Sequence, residues 1–402
     1  MTNLPQGWKM ETLGEILSSD KYSIKRGPFG SALKKSFFVE KGIRIFEQYN
    51  PINNDPHWKR YFISHEKFQE LEAFKATEGD LLISCSGTLG KIVELPKDTE
   101  MGIINQALLK IRLNNIKILN SYFIYYFNSP IMQEKILEST LGSTIKNIAS
   151  VKILKQIEIP LPPLKKQERV VGILDESFAK IDESIKILEQ NLLNLDELMQ
   201  SALQKAFNPL KDNAKENYKL PQSWEWKSLE EISENISAGG DKPKNCTESK
   251  TAKNQIPVYA NGVNNNGLVG YTDKATIIKP SLTISARGTI GFVCIRKEPY
   301  FPIVRLISLI PCENILCLHY LYFCLNFFIA KGEGSSIPQL TIPKFKSLQI
   351  PLPPLKEQEQ IAKHLDFVFE KTKALKELYT KELKDYEELK QSLLNKAFKG
   401  KL

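Results

Sequence analysis

Apolar residues recur in alternating steps of three and four through Val171, Leu174, Phe178, Ile181, Ile185, Leu188, Leu192, Leu195, Met199, Ala202 and Ala206. This spacing is a heptad seam, and it predicts a helix whose stripe runs about 54 Å at ~1.5 Å per residue against a partner helix. A second, less regular stripe passes through Leu365, Val368, Thr372, Leu375, Tyr379, Tyr386, Leu389 and Leu393, with Glu382 breaking it. The two are expected to pair with each other. Elsewhere the periodicity shortens, and short β runs with turn residues between them are predicted at 43–46, 80–84, 91–95 and 107–113, followed by a helical patch at 119–138. The same order returns at 257–260, 282–285, 291–295 and 306–310, followed by a helical 315–329.

That recurrence is a duplication. The heptapeptide IPLPPLK stands at 159–165 and again at 350–356, each time followed by Gln-Glu (Gln167-Glu168, Gln358-Glu359). From 159 to 207 the two copies align without a gap and are identical at 22 of 49 positions, ending in Lys-Ala-Phe at Phe207 and Phe398. A second signature opens each half, Leu4-Pro5-Gln6-Gly7-Trp8 with Leu13, Glu15 and Ile16 against Leu220-Pro221-Gln222-Ser223-Trp224 with Leu229, Glu231 and Ile232. Its offset is 216 rather than 191, so the first half carries longer loops on the shared scaffold. Between 208 and 219 the connection spans at most ~40 to 43 Å when extended, too short to run back along a helix of that length. The helices are therefore expected to run antiparallel. The expected fold is α+β: two similar α+β domains separated by a long antiparallel two-helix coiled coil, with pseudo-two-fold symmetry. The divisions are 1–158, a joint and helix at 159–207, a linker at 208–219, a second domain at 220–349, and a joint and helix at 350–402.

The 402 residues, 42% hydrophobic, suffice for two cores. Net charge is +9, and the excess sits in the globular segments, with 21 basic against 17 acidic groups in 1–158 and 17 against 12 in 208–349. A polyanion suits that distribution. The six cysteines form no CxxC pair and no HExxH occurs, which argues against zinc and for reduced thiols in a cytoplasmic protein. Cys317 and His319 fall in an apolar run and are expected in the core. That run is too short and too polar to cross a membrane, and the opening MTNLPQGWKMETL resembles no export signal. No GxxxxGK[ST] loop is present. Asp55-Pro56-His57-Trp58 is the nearest string to a base-flipping methylase tetrad, and it lacks the second proline and a glycine-rich cofactor loop. The chain reads as a binder, with no catalytic residue and no metal site.

Basic and amide side chains on loops reach phosphates and base edges. In the first half these are Lys25, Arg26, Lys34 and Lys35 in and before RGPFGSALKK, then Ser86, Thr88 and Lys91, then Ser143, Thr144, Lys146 and Asn147. In the second they are Lys242, Lys244, Asn261, Asn264, Asn265, Asn266, Arg287, Thr289, Ser335, Ser336 and Gln339. The groups recur at matching places. Ser84-Cys-Ser-Gly87-Thr88-Leu-Gly90 echoes Ser285-Ala-Arg-Gly288-Thr289-Ile-Gly291, and Gly142-Ser143-Thr144-Ile145 echoes Gly334-Ser335-Ser336-Ile337.

The twin IPLPPLKxQE joints, their helices, the LPxxW openings and the string Ile256-Pro-Val-Tyr259-Ala-Asn-Gly262 with Gly270-Tyr271-Thr-Asp together resemble the specificity subunit of type I restriction-modification enzymes. The resemblance implies two target recognition domains, each reading half of a bipartite, asymmetric site in double-stranded DNA, with the helices as the spacer. It implies no catalysis and no cofactor in this chain. Two methyltransferase subunits would supply S-adenosylmethionine, and motor-nuclease subunits are admitted as further partners. A different class of function, a coiled-coil scaffold whose terminal domains bind proteins, is the alternative. A self-sufficient methyltransferase is a third.

Overall fold

The computed structural model describes residues 5–138, 148–207, 220–329, 332–333 and 340–402. Contacts divide it into two compact units, Met1–Leu188 with Lys381–Leu402, and Glu189–Thr380. Each unit takes part of each long helix, Leu164–Phe207 and Leu355–Phe398.

In the first unit the central sheet has the spatial order Ile24–Arg26, Leu108–Ile111, Leu81–Ser84, Ile92–Glu94. Leu81 and Ile83 enter a core with Tyr122, Phe123 and Tyr126, while Leu82, between them, turns to a second cluster with Phe46 and Ile104. Both faces are therefore covered, and this explains why the strand reads as an unbroken apolar run rather than an alternation. The second cluster belongs to a five-stranded sheet in which Ile43–Phe46 runs parallel to Gly102–Ile104. In place of one helix at 119–138 there are two, Asn120–Phe127 and Pro130–Glu138. Pro130 lacks the N–H to continue the first helix.

The second unit repeats this plan. Its central sheet is ordered Ser233–Ala238, Ile307–Pro311, Ser281–Ile284, Val293–Arg296. Its smaller sheet again holds a parallel pair, Ile256–Tyr259 with Phe301–Pro302. The helix Leu318–Phe328 covers the core.

The two repeated signatures are partners of one another. The opening strand Lys9–Thr12 pairs antiparallel with Glu158–Leu161, and Glu225–Ser228 pairs with Gln349–Leu352. Their registers agree, Lys9 opposite Leu161 and Glu225 opposite Leu352. The Pro-rich joint is thus a paired strand, not only an extended connector. After each opening strand a capping box starts a single helical turn, with Glu15 accepting from the Thr12 N–H at 2.7 Å and Glu231 from the Ser228 N–H at 2.7 Å.

Past the joint, a buried glutamine turns back from each long helix. Gln167 Nε2 donates to Pro162 O at 2.9 Å and Lys117 O at 2.9 Å, while its Oε1 accepts from the Leu119 N–H at 2.9 Å. Gln358 Nε2 donates to Pro353 O at 2.8 Å and Ile315 O at 2.9 Å, and its Oε1 accepts from the Cys317 N–H at 2.9 Å. Leu119 and Cys317 are the N-cap residues of the domain helices, so one amide satisfies an otherwise unpaired helix-terminal N–H and fixes the long helix to its domain. Nearby, Tyr122 donates its hydroxyl to Pro160 O at 2.8 Å and Tyr320 to Pro351 O at 2.6 Å.

Every position of the first predicted stripe is buried or half-buried. The second stripe needs correction, because Leu375 and Leu389 are exposed at 38% and 43%. The inward positions are Leu365, Phe369, Thr372, Lys376, Tyr379, Leu383, Tyr386, Lys390, Leu393 and Ala397, again in steps of four and three. Two lysines on the seam hid the period. Their stems lie along the helix and their ammonium groups reach carboxylates. In the first unit Lys390 Nζ lies 2.5 Å from Asp182 Oδ1, and in the second Lys376 pairs with Asp196. Within each unit the helix segments run antiparallel: Val170 and Leu174 share a core with Leu394, Ala397 and Phe398, and Leu203 and Phe207 share one with Ala362 and Leu365.

The shared Ala-Phe endings fill the domains. Phe398 lies edge-on to Tyr122 and Tyr126 at 5.3 and 5.1 Å between centroids, and Phe207 lies edge-on to Tyr320 at 5.5 Å. His319, expected in the core, instead faces the second long helix, its Nδ1 2.8 Å from Asp366 Oδ2. Cys317 is half-buried at the helix cap.

Gln167→Ala removes three bonds, leaving the buried Pro162 carbonyl and the part-buried Lys117 carbonyl and Leu119 N–H without that partner. It is expected to lower stability by about 2 to 4 kcal/mol, read as a lower urea midpoint at unchanged slope. Phe398→Ala is expected to cost about 3 to 5 kcal/mol by opening a cavity between the tyrosines, and a loss below 1 kcal/mol in the same measurement would contradict that packing.

Candidate nucleic-acid interface

In each unit the loops at one end of the central sheet converge through hydrogen bonds between them. The glycine-marked loops 84–90 and 285–291 share their backbone: Gly87, Gly90, Gly288 and Gly291 have φ of 64°, 70°, 75° and 80°. Gly90 donates its N–H to Ser84 O at 2.9 Å, and Gly291 to Ser285 O at 3.0 Å. Left-handed backbone at both glycines is what lets so short a loop reverse between two paired strands. Ser86 is half-buried and Thr88 exposed in the first loop; Arg287 is exposed and Thr289 half-buried in the second. Lys91, just past the first loop, is exposed.

Asn261 is the hub of the second unit's loops. Its Oδ1 accepts from the Ala286 N–H at 2.8 Å and its Nδ2 donates to Val304 O at 2.6 Å, while the Val304 N–H reaches Gly240 O at 2.8 Å. Four loops are joined by this amide and its neighbours. The next three asparagines, Asn264, Asn265 and Asn266, are exposed, and Asn265 and Asn266 sit in left-handed backbone at φ of 49° and 51°. Lys242 and Lys244 are exposed on the adjoining segment.

Two buried arginines hold these loops through their carbonyls. Arg296 stacks over the Tyr259 ring at 3.5 Å and donates Nε to Thr283 Oγ1 at 3.0 Å and Nη2 to Asn266 O at 2.5 Å. In the first unit Arg44 lies over the Phe46 ring at 4.1 Å and donates Nη2 to Pro56 O at 2.9 Å and Trp58 O at 2.7 Å. Burial lowers the Arg44 pKa below its usual value. Asn50 completes that loop with Nδ2 bonds to Asp55 O and Trp58 O, both at 2.9 Å. Asp55 accepts from the N–H groups of His57 and Trp58, both at 3.0 Å, so the string weighed as a methylase tetrad is an Asp-initiated turn.

The remaining first-unit candidates divide by role. Lys34 and Lys35 are exposed on a loop whose root is pinned, since a Cβ on Gly27 would stand 1.8 Å from Asn105 O. Lys25 lies over the Phe74 and Tyr22 rings at 5.2 and 5.4 Å. Arg26 donates to Cys85 O and Ile148 O, both at 3.5 Å, and so braces the loop base. Burial pushes the Cys85 thiol up to about 12, which leaves it inert as a nucleophile near neutral pH. Ser143, Thr144, Lys146, Asn147, Ser335, Ser336 and Gln339 lie outside the described residues, as does the segment 208–219.

Sequence reasoning missed the exposed Tyr49, stacked on Trp58 at 4.3 Å, and its exposed neighbours Lys59 and Arg60. Interleaved aromatic and basic residues were the available signal. It missed Arg305 as well, which carried no local motif. Among the described residues no cluster of His, Cys, Asp and Glu could hold a metal ion, and no helix is long and apolar enough to cross a membrane.

Comparison with known proteins agrees with this architecture. The family described as type I restriction modification DNA specificity domain matches residues 5–193 and 221–385. A putative type I specificity subunit of Mycoplasma pneumoniae is 33% identical over 221 residues, covering 54% of this chain and 56% of that protein. The match thus spans little more than half of that relative. A chain solved in work on complex assembly and conformational transition of the type I R-M system superposes with a TM-score of 0.80 at 20% identity, covering 100% of both chains. The HsdS subunit from Thermoanaerobacter tengcongensis superposes with a TM-score of 0.63 at 20% identity, covering 99% of this chain and 98% of that one. At that identity the superpositions speak for a shared fold. With the family matched twice across most of its length, this chain belongs to the type I restriction-modification DNA specificity family, as a specificity subunit.

Proposed function

We propose that each unit reads one half of a bipartite, asymmetric target in double-stranded DNA, and that the paired helices set the length of the unread gap. The observation that carries this reading is one scaffold occurring twice with unlike loops. Residues 47–60 are held by Arg44 and Asn50 in the first unit, and residues 261–267 by Arg296 and Asn261 in the second. A shared scaffold with different loops suits the reading of two different half-sites. Exposed lysines, arginines, asparagines and an aromatic pair on those loops suit phosphates and base edges.

In this reading the chain performs no chemistry itself. Two methyltransferase subunits bring S-adenosylmethionine, and motor-nuclease subunits join for restriction. The assembly works in the cytoplasm, where its DNA lies. A relative in fold was solved in work on complex assembly of a type I R-M system, which supports assembly with modification subunits.

Phosphate contacts predict that log K for duplex DNA falls linearly with log salt, by roughly −0.9 per phosphate neutralised. Lys34→Ala with Lys35→Ala is expected to reduce the slope by about one to two without changing the preferred sequence. Binding insensitive to salt would favour the protein-scaffold reading instead. Removing one heptad from within the first long helix, together with its antiparallel partner heptad, shortens the coil by ~10 Å, about three base pairs at ~3.4 Å each. The preferred gap is expected to shorten while both half-sites persist, as read by sequencing DNA selected from a random pool. An unchanged gap would refute the spacer.

A further inference from the structure

The turns 105–108 and 303–306 occupy the same place in the two units. Asn105 donates its N–H to Phe46 O at 3.0 Å and Leu108 to Asn105 O at 3.1 Å; Ile303 donates to Tyr259 O at 2.8 Å and Leu306 to Ile303 O at 3.1 Å. Their backbones are of opposite hand. Neither Gln106 nor Ala107 has a positive φ, whereas Val304 and Arg305 stand at φ of 53° and 59°.

Two successive positive φ values are the habit of Asn-Gly and Gly-Gly turns. An L-residue pays for them with a clash between Cβ and the neighbouring carbonyl, and a β-branched residue such as Val304 is the least suited of all. The scaffold does not demand this conformation, because the first unit makes the same turn without it. It is imposed from outside by three hydrogen bonds: Val304 N–H to Gly240 O at 2.8 Å, Arg305 N–H to Gly239 O at 2.9 Å, and Asn261 Nδ2 to Val304 O at 2.6 Å. Gly239 is itself required there, since a Cβ would stand 2.6 Å from Ile303 N.

The consequence of the strain is where the side chains go. Val304 is 53% exposed. Arg305 is exposed too, and among the described residues its guanidinium has no hydrogen-bond or ion-pair partner. It stands on a turn bonded to Asn261 and Gly239, and the segments joined there also carry Lys242, Asn264, Asn265, Asn266 and Arg287. Strain held by surrounding hydrogen bonds, with a free charged group at its tip, marks a site rather than a support.

We propose that Arg305 is a specificity-determining residue of the second unit, reading a guanine through paired donors to its O6 and N7 in the major groove. This rests on the DNA-reading function proposed above. A rigid left-handed turn fixes the approach of the guanidinium plane before DNA arrives.

The test incubates the full-length chain with a pool of random-sequence duplex DNA and sequences what is retained. Wild type is expected to enrich two half-sites at one gap. Arg305→Gln keeps a polar side chain without the paired geometry. It is expected to preserve one half-site and the gap, to lose a guanine at one position of the other, and to bind the wild-type consensus roughly 10- to 100-fold more weakly. The double change Val304→Asn with Arg305→Gly suits the backbone better, so it is expected to raise Tm while losing the same guanine. A purely structural role for the turn would leave the guanine in place. An unchanged second half-site in Arg305→Gln overturns the proposal, as does loss of both half-sites together. If wild type enriches no sequence, the DNA-reading function itself falls, a result distinct from the first because it shows before any variant is compared.

Discussion

A buried glutamine at the start of each long helix is the contact on which the rest of the structure depends. Gln167 and Gln358 each meet two carbonyls and one N–H, and they meet corresponding groups in the two units. A neutral amide is the side chain that can donate twice and accept once there; a carboxylate would face two carbonyl oxygens in a dry site. The prolines of the joint fit the same requirement. They leave carbonyls for glutamine and tyrosine to use while removing N–H groups that would need partners of their own. Joint, domain helix and long helix are thus tied by the same bonds in both units.

The helix ends pack into the same domain cores beside the joints. Phe398 closes the core of the first unit beside Tyr122, and Phe207 that of the second beside Tyr320. Each domain core is therefore completed by a residue distant in sequence, and neither long helix could be lost without opening one. The seam lysines add asymmetry to an otherwise duplicated pair. Ile185 and Met199 of the first helix have Lys376 and Lys390 as their counterparts in the second, each bound to an aspartate of the facing helix. Such pairs contribute little energy when exposed, but they disfavour any register that buries the ammonium groups alone.

With the scaffold held at the joints, the loops are free to differ. The two units support these loops by the same physical means, a buried arginine stacked on an aromatic ring and bonded to loop carbonyls. The arginine comes from different strands, Ile43–Phe46 in one case and Val293–Arg296 in the other. In both cases the loop backbone is tied to a residue of the core.

The sequence by itself determined the duplication, the fold class, the first helix with its whole seam and the places along the chain of four strands in each half, though not their order in the sheets nor the edge strands Ile24–Arg26 and Ser233–Ala238. Those features rest on periodicity and on identity between copies, and both are local or internal to the chain. It also located the loops, because glycines at matched positions mark turns in either half. Only the tertiary structure decided that the two signatures pair with each other in one register, since backbone hydrogen bonding between residues roughly 120 to 150 apart leaves no trace in either stretch. Only it decided the second seam, where the charge of Lys376 and Lys390 masked the apolar stems that lie inward. The same holds for the candidate contact residues. Asn261, chosen as a contact, has both ends of its amide committed to neighbouring loops, whereas Arg305, unmarked in sequence, has no side-chain partner among the described residues and stands on a turn of unusual hand. Whether an amide or guanidinium faces partner or scaffold depends on which carbonyls folding brings within 3 Å of it, and residue type alone does not carry that information.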